Sequence, residues 1–218
     1  MVYLRHLTTF QLLGIQFGVS ESTANDTFNY WLVVLHELLP SSLLEQVKKN
    51  ASDYETLKEV LRESELIVDS YEQVRERPGD NDQQKKYFSG KKSHHTFKSQ
   101  MIILPNGSDI VDVVAGEPGP KSDLTLFREY RSEFDPKQKF TGDKADQGED
   151  LVTTPIKKPR NRELTAEQKL QNKAFSANRI FVEHRIRSVK IFRVVQERFR
   201  LNPQKYERVI LTICGLVR

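Results

Sequence analysis

The chain has 218 residues, room for one large domain or for a catalytic-sized domain with a small appendage. Hydrophobic residues at 37% and charged residues at 29% place it among globular rather than disordered chains, and the single Cys214 excludes both an intrachain disulfide and a zinc site built from several cysteines. A net charge of +4, from 34 basic and 30 acidic residues, is unevenly spread: acids crowd into 52–82, whereas 85–98 and 157–208 are strongly basic, a distribution suited to a polyanionic partner. The longest apolar run, 209–217, is too short to cross a bilayer, and no signal peptide precedes the first apolar stretch. A soluble, cytoplasmic protein is the expectation.

Residues 8–40 read as two helices around a break at Gly18-Val19-Ser20. Ser20 or Ser22 can cap the second helix, where Phe28, Trp31, Leu32, Leu35 and Leu39 repeat at helical spacing until Pro40 ends it. Helix, tight turn and second helix is the pattern of a helix-turn-helix, and Ser22, Thr23, Asn25, Asp26 and Asn29 then lie near the start of its recognition helix. A plain helical hairpin fits the spacing equally well. Residues 43–63 predict further helix, and 51–64 serve as a helical linker to the remainder of the chain.

At Leu66-Ile67-Val68 the period changes to a short buried strand with Asp69 at its C-terminal end. A polar loop over 72–82 contains Pro78-Gly79. Two β-rich runs, 96–104 and 110–114, flank Pro105-Asn106-Gly107, a strong hairpin signal. Lys85, Lys86, Lys91 and Lys92 interleave with Tyr87 and Phe88 ahead of that hairpin and could grip a phosphate backbone; an exposed basic loop is the plainer alternative. His94 and His95 are adjacent, face opposite sides of a strand, and make a poor metal pair. A helix over 124–130 comes next, with Ser122 or Asp123 at its cap. The long helix is predicted over 165–201, with a break near Ser176. Within it Arg179, Glu183, Arg187 and Lys190 fall within about 80° of one another, while Ile180, Val182, Ile186, Val189 and Phe192 spread around the other faces and predict packing on more than one side. Taken alone, Glu183 is an ion-pair partner of Arg179 or Arg187.

Four carboxylates stand out by position: Asp69, Asp123, Asp143 and Glu183. Carboxylates gathered at one spot repel unless a cation neutralises them, and Mg²⁺ takes oxygen ligands of this kind. The sequence resembles the DDE-superfamily endonucleases, the transposases of bacterial insertion sequences that share a domain with Harbinger-type elements. Six phrases carry the resemblance in order. They are Val68-Asp69-Ser70 with Arg77-Pro78, Tyr87-Phe88-Ser89-Gly90-Lys91-Lys92, His95-Thr96-Phe97-Lys98, Gly119-Pro120-Lys121-Ser122-Asp123, Gly142-Asp143 through Gly148, and Asn178 through His184. The N-terminal helix pair matches as well.

The resemblance implies an α/β fold: an RNase H-like catalytic domain over 65–218 behind a small all-α helix-turn-helix module over 1–50. It implies a catalytic triad of Asp69, Asp143 and Glu183, with Asp123 as a fourth metal-associated acid and divalent metal, two Mg²⁺ ions, as cofactor. Arg179 and Lys190 match basic positions that hold DNA phosphates; Ser22, Thr23, Asn25, Asn29, Lys91 and Lys92 complete the expected DNA contacts. The implied partners are double-stranded DNA, as terminal inverted repeats and target, and a second copy of the chain; the implied location is the nucleoid. Asp146 stands where the family usually has tyrosine and His94 where a basic residue is common. A catalytically inactive, DNA-binding derivative is the alternative to an active transposase.

Overall fold

The computed structural model describes residues 1–48, 50–143, 151–160 and 163–218. Asp146 lies outside them. Three strands dominate a mixed sheet: β1 (Leu66–Val74), β3 (His94–Ile103) and β4 (Ile110–Pro118), all antiparallel neighbours, with the two-residue β2 (Phe88–Ser89) on the start of β3. On the other side of β1 lie two short parallel strands, β5 (Phe140–Thr141) and β6 (Val152–Thr153), giving the order β4-β3-β1-β5-β6. The hairpin forms as its Asn-Gly signal requires: Gly107, at φ 69°, occupies the left-handed region open to glycine.

Strand alternation sends successive residues of β1 to opposite faces, and each face is covered by helices. Leu66 and Val68 pack with Ile102 and Val111 against Leu61, Phe127, Phe134 and Phe140. That face carries α4 (Leu43–Val47), α5 (Ala51–Arg62) and α7 (Asp123–Tyr130). The stretch read as a linker is therefore the helix α5, whose Tyr54, Leu57 and Leu61 cover the sheet. Ile67 and Tyr71 face the other way, onto Val182, Ile186 and Val189 of α8 (Ala166–Lys190) and onto α10 (Tyr206–Val217), with α9 (Arg193–Gln196) between.

At the N-terminus, α1 (Val2–His6) and α2 (Phe10–Phe17) precede α3 (Glu21–Leu38). Ser20 is the cap of α3, its hydroxyl accepting from the Thr23 N–H at 3.1 Å. Gly18 closes α2 at φ 67°, and Gly14 lets the turn fold tightly, since a Cβ there would meet the Val19 carbonyl oxygen at 2.6 Å. Tyr3, Leu4, Leu13, Ala24 and Leu32 share one core with Val194, Val195 and Ile213, so the N-terminal helices are docked on the sheet domain's helical face.

Three local expectations are corrected. Asp69 does not end its strand: β1 runs on to Val74 because β3 pairs with it as far as Thr96, and α6 (Asn81–Tyr87), capped by Asp80, occupies part of the expected loop. The long helix is unbroken at Ser176 and ends at Lys190, where Ile191 and Phe192 turn the chain into α9. Its buried residues, Val182, Ile186 and Val189, lie on one side, Arg185 and Phe181 meet the hairpin turn at Gly107, and Ile180 is exposed. The apolar repeat of α3 is likewise not fully covered: Leu32 is buried, Trp31 is not.

Candidate functional site

Asp69 has odd-numbered neighbours Ile67 and Tyr71 on its face, so its carboxylate emerges beneath α8. The register of β1 with β5 then locates Asp143. Ile67 lies opposite Thr141, and Asp143, two residues past the end of β5, is near enough for its charge to act on Asp69. Because β5 stops at Thr141, that edge of β1 is open among the described residues from Asp69 until the Phe199 N–H donates to the Val74 carbonyl at 2.8 Å.

Over that edge lies α8. With its buried residues on one side, it turns Arg179, Glu183 and Lys190 away from the core and toward the sheet edge. The Arg179 guanidinium reaches Asp69, Nη2 to Oδ1 at 3.4 Å, and the Arg179 Nε is buried with no hydrogen-bond partner among the described residues. Glu183 does not pair with Arg179 or Arg187; it lines a cavity of about 600 Å³ together with Asp69, Ser70, Arg187, Lys190 and Gln196. Burial pushes the Asp69 carboxyl up to about 6. Arg179 and the Ser70 N–H, which donates to it at 2.9 Å, oppose the rise; the charges of Asp143 and Asp123 add to it. Lys190 sits half-buried with its ammonium 4.9 Å from the Tyr71 ring centre, and burial pulls its pKa down.

Asp123 belongs to the opposite face. It opens α7, with Ser122 as the cap, and its Oδ1 accepts from the Lys98 ammonium at 2.8 Å. Lys98 is almost wholly buried on β3 and also donates to the Lys121 carbonyl. A lysine buried mid-strand needs such partners. A second cavity, of about 460 Å³, contains Asp123 and Lys98 with Lys91, Lys92 and Lys121, and shares Ser70, Tyr71 and Lys190 with the first. Together the two form one trough around the open edge of β1.

Among the described residues no group of three or more His, Cys, Asp or Glu side chains converges closely enough to hold a metal ion. The donor chemistry nonetheless fits a hard cation in kind, since the carboxylates of Asp69 and Glu183 offer oxygen ligands only. A cation there would take the place beside Asp69 that Arg179 now holds.

In the N-terminal helices Ser22 and Thr23 are exposed at the first turn of α3, both in contact with the Ser20 hydroxyl. Asn29 is engaged elsewhere: it donates to Asn25 at 3.1 Å and accepts from Lys205 at 2.6 Å, helping to seat α3 on the body.

The fold and the site define a mixed α/β protein whose sheet edge presents acids beneath a helix that carries one more acid among cations. Residues 68–218 match the family model described as DDE superfamily endonuclease, and residues 1–41 match the helix-turn-helix of DDE superfamily endonuclease. The chain belongs to the DDE superfamily endonucleases. It is similar to the probable transposase for insertion sequence element IS702 of Microchaete diplosiphon, at 33% identity over 208 residues, covering 94% of this chain and 72% of the relative. No solved structure matches. No helix among the described residues is long and apolar enough to cross a membrane.

Proposed function

We propose that the chain is a DNA transposase that binds the ends of its element and performs metal-dependent phosphodiester cleavage and strand transfer. The observation that carries this reading is the meeting of Asp69, from a strand, with Glu183, from the helix across it, in one cavity that also holds Lys190. The sheet order, three antiparallel strands followed by two short parallel ones, supports an RNase H-like catalytic domain. The tight turn between α2 and α3 supports a helix-turn-helix, with Ser22 and Thr23 offered to DNA and Asn25 and Asn29 closer to the body.

In this proposal Asp69, Asp143 and Glu183 would hold divalent cations, a pair of Mg²⁺ ions by preference for oxygen donors. When bound, such ions neutralise the phosphodiester and activate the attacking water or 3′-hydroxyl. Asp123, held by Lys98, would be a metal ligand only if that ion pair were broken. Arg179, which pairs with Asp69, carries the fork of donors best shaped for a DNA phosphate and would supply one such contact. Lys190 stands on the same side of α8 as a second phosphate contact, and Lys91 and Lys92 extend the positive surface. Holding the two ends of an element together would call for a second copy of the chain.

A supercoiled plasmid carrying the element's inverted repeats tests the proposal. The protein should nick it in Mg²⁺, and Asp69→Ala should not. Nicking that survives the substitution would remove Asp69 from the chemistry. A wild-type protein that binds the repeats in a salt-dependent way yet never cleaves them would be the non-catalytic derivative.

A further inference from the structure

The sequence holds no lysine or arginine from His6 to Val47, while four acids, Glu21, Asp26, Glu37 and Glu45, fall in that span. All 34 basic residues of the chain lie outside it. A duplex is gripped chiefly through its phosphates by such cations, so α2 and α3 have little with which to hold its backbone. What they expose instead is apolar. Eight of the 15 exposed large apolar side chains among the described residues lie between Leu12 and Leu38. A concentration of this kind marks a surface that another molecule covers.

The surface also has a shape. The three N-terminal helices enclose a groove of about 560 Å³, and its floor of Leu4, Leu13 and Leu32 belongs to the core shared with the sheet domain. Phe17, Val19 and Trp31 border it and are 60%, 42% and 53% exposed. No Asp, Glu, Lys or Arg among the described residues lines it. Asp26 and Glu37 project more than about 100° away from Trp31 around α3. Tyr30 meets the Trp31 ring edge-on at 5.6 Å, so a ridge of two rings stands beside the groove. An aromatic centre free of charge, with acids set to the side, is the composition of a protein–protein contact.

We infer that this groove is the contact between two copies of the chain, related by a two-fold axis, with Trp31 of each copy seated in the groove of the other. A ring standing beside a groove is self-complementary, as a two-fold contact requires. The area fits: Tyr30, Trp31, Phe17 and Val19 still have enough surface in water to supply more than half of the about 800 Å² that a standard interface takes from each partner. The position fits as well. No residue of the N-terminal helices lines either half of the trough, so a second copy seated here leaves the acids of both copies open to DNA. Ser22 and Thr23 lie outside the groove and stay accessible. The contact deepens the transposase reading and rests on it for the need to hold two element ends together.

Sedimentation equilibrium of the full chain, without DNA or divalent cation, tests the contact. Wild type should pass from 25.3 kDa to twice that mass between about 0.1 and 100 μM, where interfaces of this size begin to hold. Trp31 is the only tryptophan, so its emission should move to the blue and its quenching by acrylamide should fall over the same range. Trp31→Ser and Thr27→Glu, both at exposed positions bordering the groove, should each raise the dimer Kd at least about 30-fold while keeping the helical circular dichroism. Leu170→Ser, at an exposed position on α8, should leave the dimer intact. A wild type that stays at 25.3 kDa throughout would overturn the contact, and so would a dimer that both groove variants still form without a change in Trp31 emission. Should a monomeric wild type bind a short fluorescein-labelled duplex and Trp31→Ser lose that binding, the groove belongs to DNA and the inference falls. Nicking of the element-end plasmid is scored separately. A dimer broken by Thr27→Glu in a protein that never cleaves retains the contact and loses the nuclease; a monomer that cleaves does the reverse.

Discussion

Asp69 on β1 and Asp112 on β4 are both partly buried carboxylates, and loss of solvent pushes both up to about 6. Their surroundings differ. Asp69 has the Arg179 guanidinium at 3.4 Å and opens into a cavity shared with Lys190 and Glu183. Asp112 opens into a cavity of about 320 Å³ with Glu45, Glu133 and Glu207, where Lys48 is the cation facing it. Two of those acids are satisfied by neutral groups: the Tyr54 hydroxyl donates to Glu133 at 2.7 Å, and the Ser41 N–H donates to Glu45 at 2.6 Å. A raised carboxyl pKa therefore marks burial in both places and a reactive site in neither. The placement of cations separates them, because a phosphate can approach the first cavity and is repelled from the second.

The difference between the two cavities is widest in the chemistry. Glu183→Gln is expected to lower nicking of the element-end plasmid about a thousandfold, the scale of several kcal/mol of lost charge stabilisation, whereas Glu133→Gln leaves the rate near wild type. Comparable losses from both would erase the distinction. Next in size is Arg179→Gln, expected to slow nicking about a hundredfold by removing a phosphate donor, with KM for the DNA rising in a steady-state assay.

Stability separates the regions more gently. The Asp112 carboxyl binds its proton more tightly in the folded chain than in the unfolded one, where it titrates near its ordinary 3.8. Its contribution is therefore fully present below about pH 4 and is lost as pH rises through about 6. Asp112→Asn removes that loss, so urea denaturation should show a gain of about 2 kcal/mol at pH 8 that shrinks to nothing near pH 4. A gain that is the same at both pH values would mean that burial of the charge is not its cause. The smallest effect lies away from both acids. Gly107→Ala puts a Cβ in the left-handed region and 3.0 Å from the Phe181 Cβ, in the turn that Arg185 of α8 holds by a 2.7 Å hydrogen bond to the Gly107 carbonyl. It should cost about 1 kcal/mol in the same titration and leave nicking in place at temperatures below melting.

What could be read from the sequence was local. Ser20, Ser122 and Asn106-Gly107 act through groups two or three residues away, so their chemistry is visible in a short window. The length of β1 was not visible, because Glu72, Gln73 and Val74 are held in a strand by Lys98, Phe97 and Thr96 of β3 rather than by their own propensity. The acids obeyed the same rule. Their number and order came from the resemblance, and nothing local could bring the charge of Asp143 within reach of Asp69, since β5 is only two residues long and its register depends on Leu66 and Ile67. The basic row around Glu183 was legible as a face of the helix; its pairing with Asp69 instead of Glu183 was not, because it required knowing which strand lies beneath. Asp146, the departure from the family pattern, lies outside the described residues.

If the cleavage chemistry resides at the open edge of β1, then Asp69, Asp143 and Glu183 must converge there on a divalent cation. Titration of the protein with Mn²⁺, followed by the loss of the free-ion electron paramagnetic resonance signal, measures this without any DNA. Wild type should bind, and Asp69→Asn, Asp143→Asn and Glu183→Gln should each weaken binding at least about tenfold, while Asp112→Asn does not. Equal affinity in wild type and all three variants would put the cation elsewhere and remove these acids from its coordination.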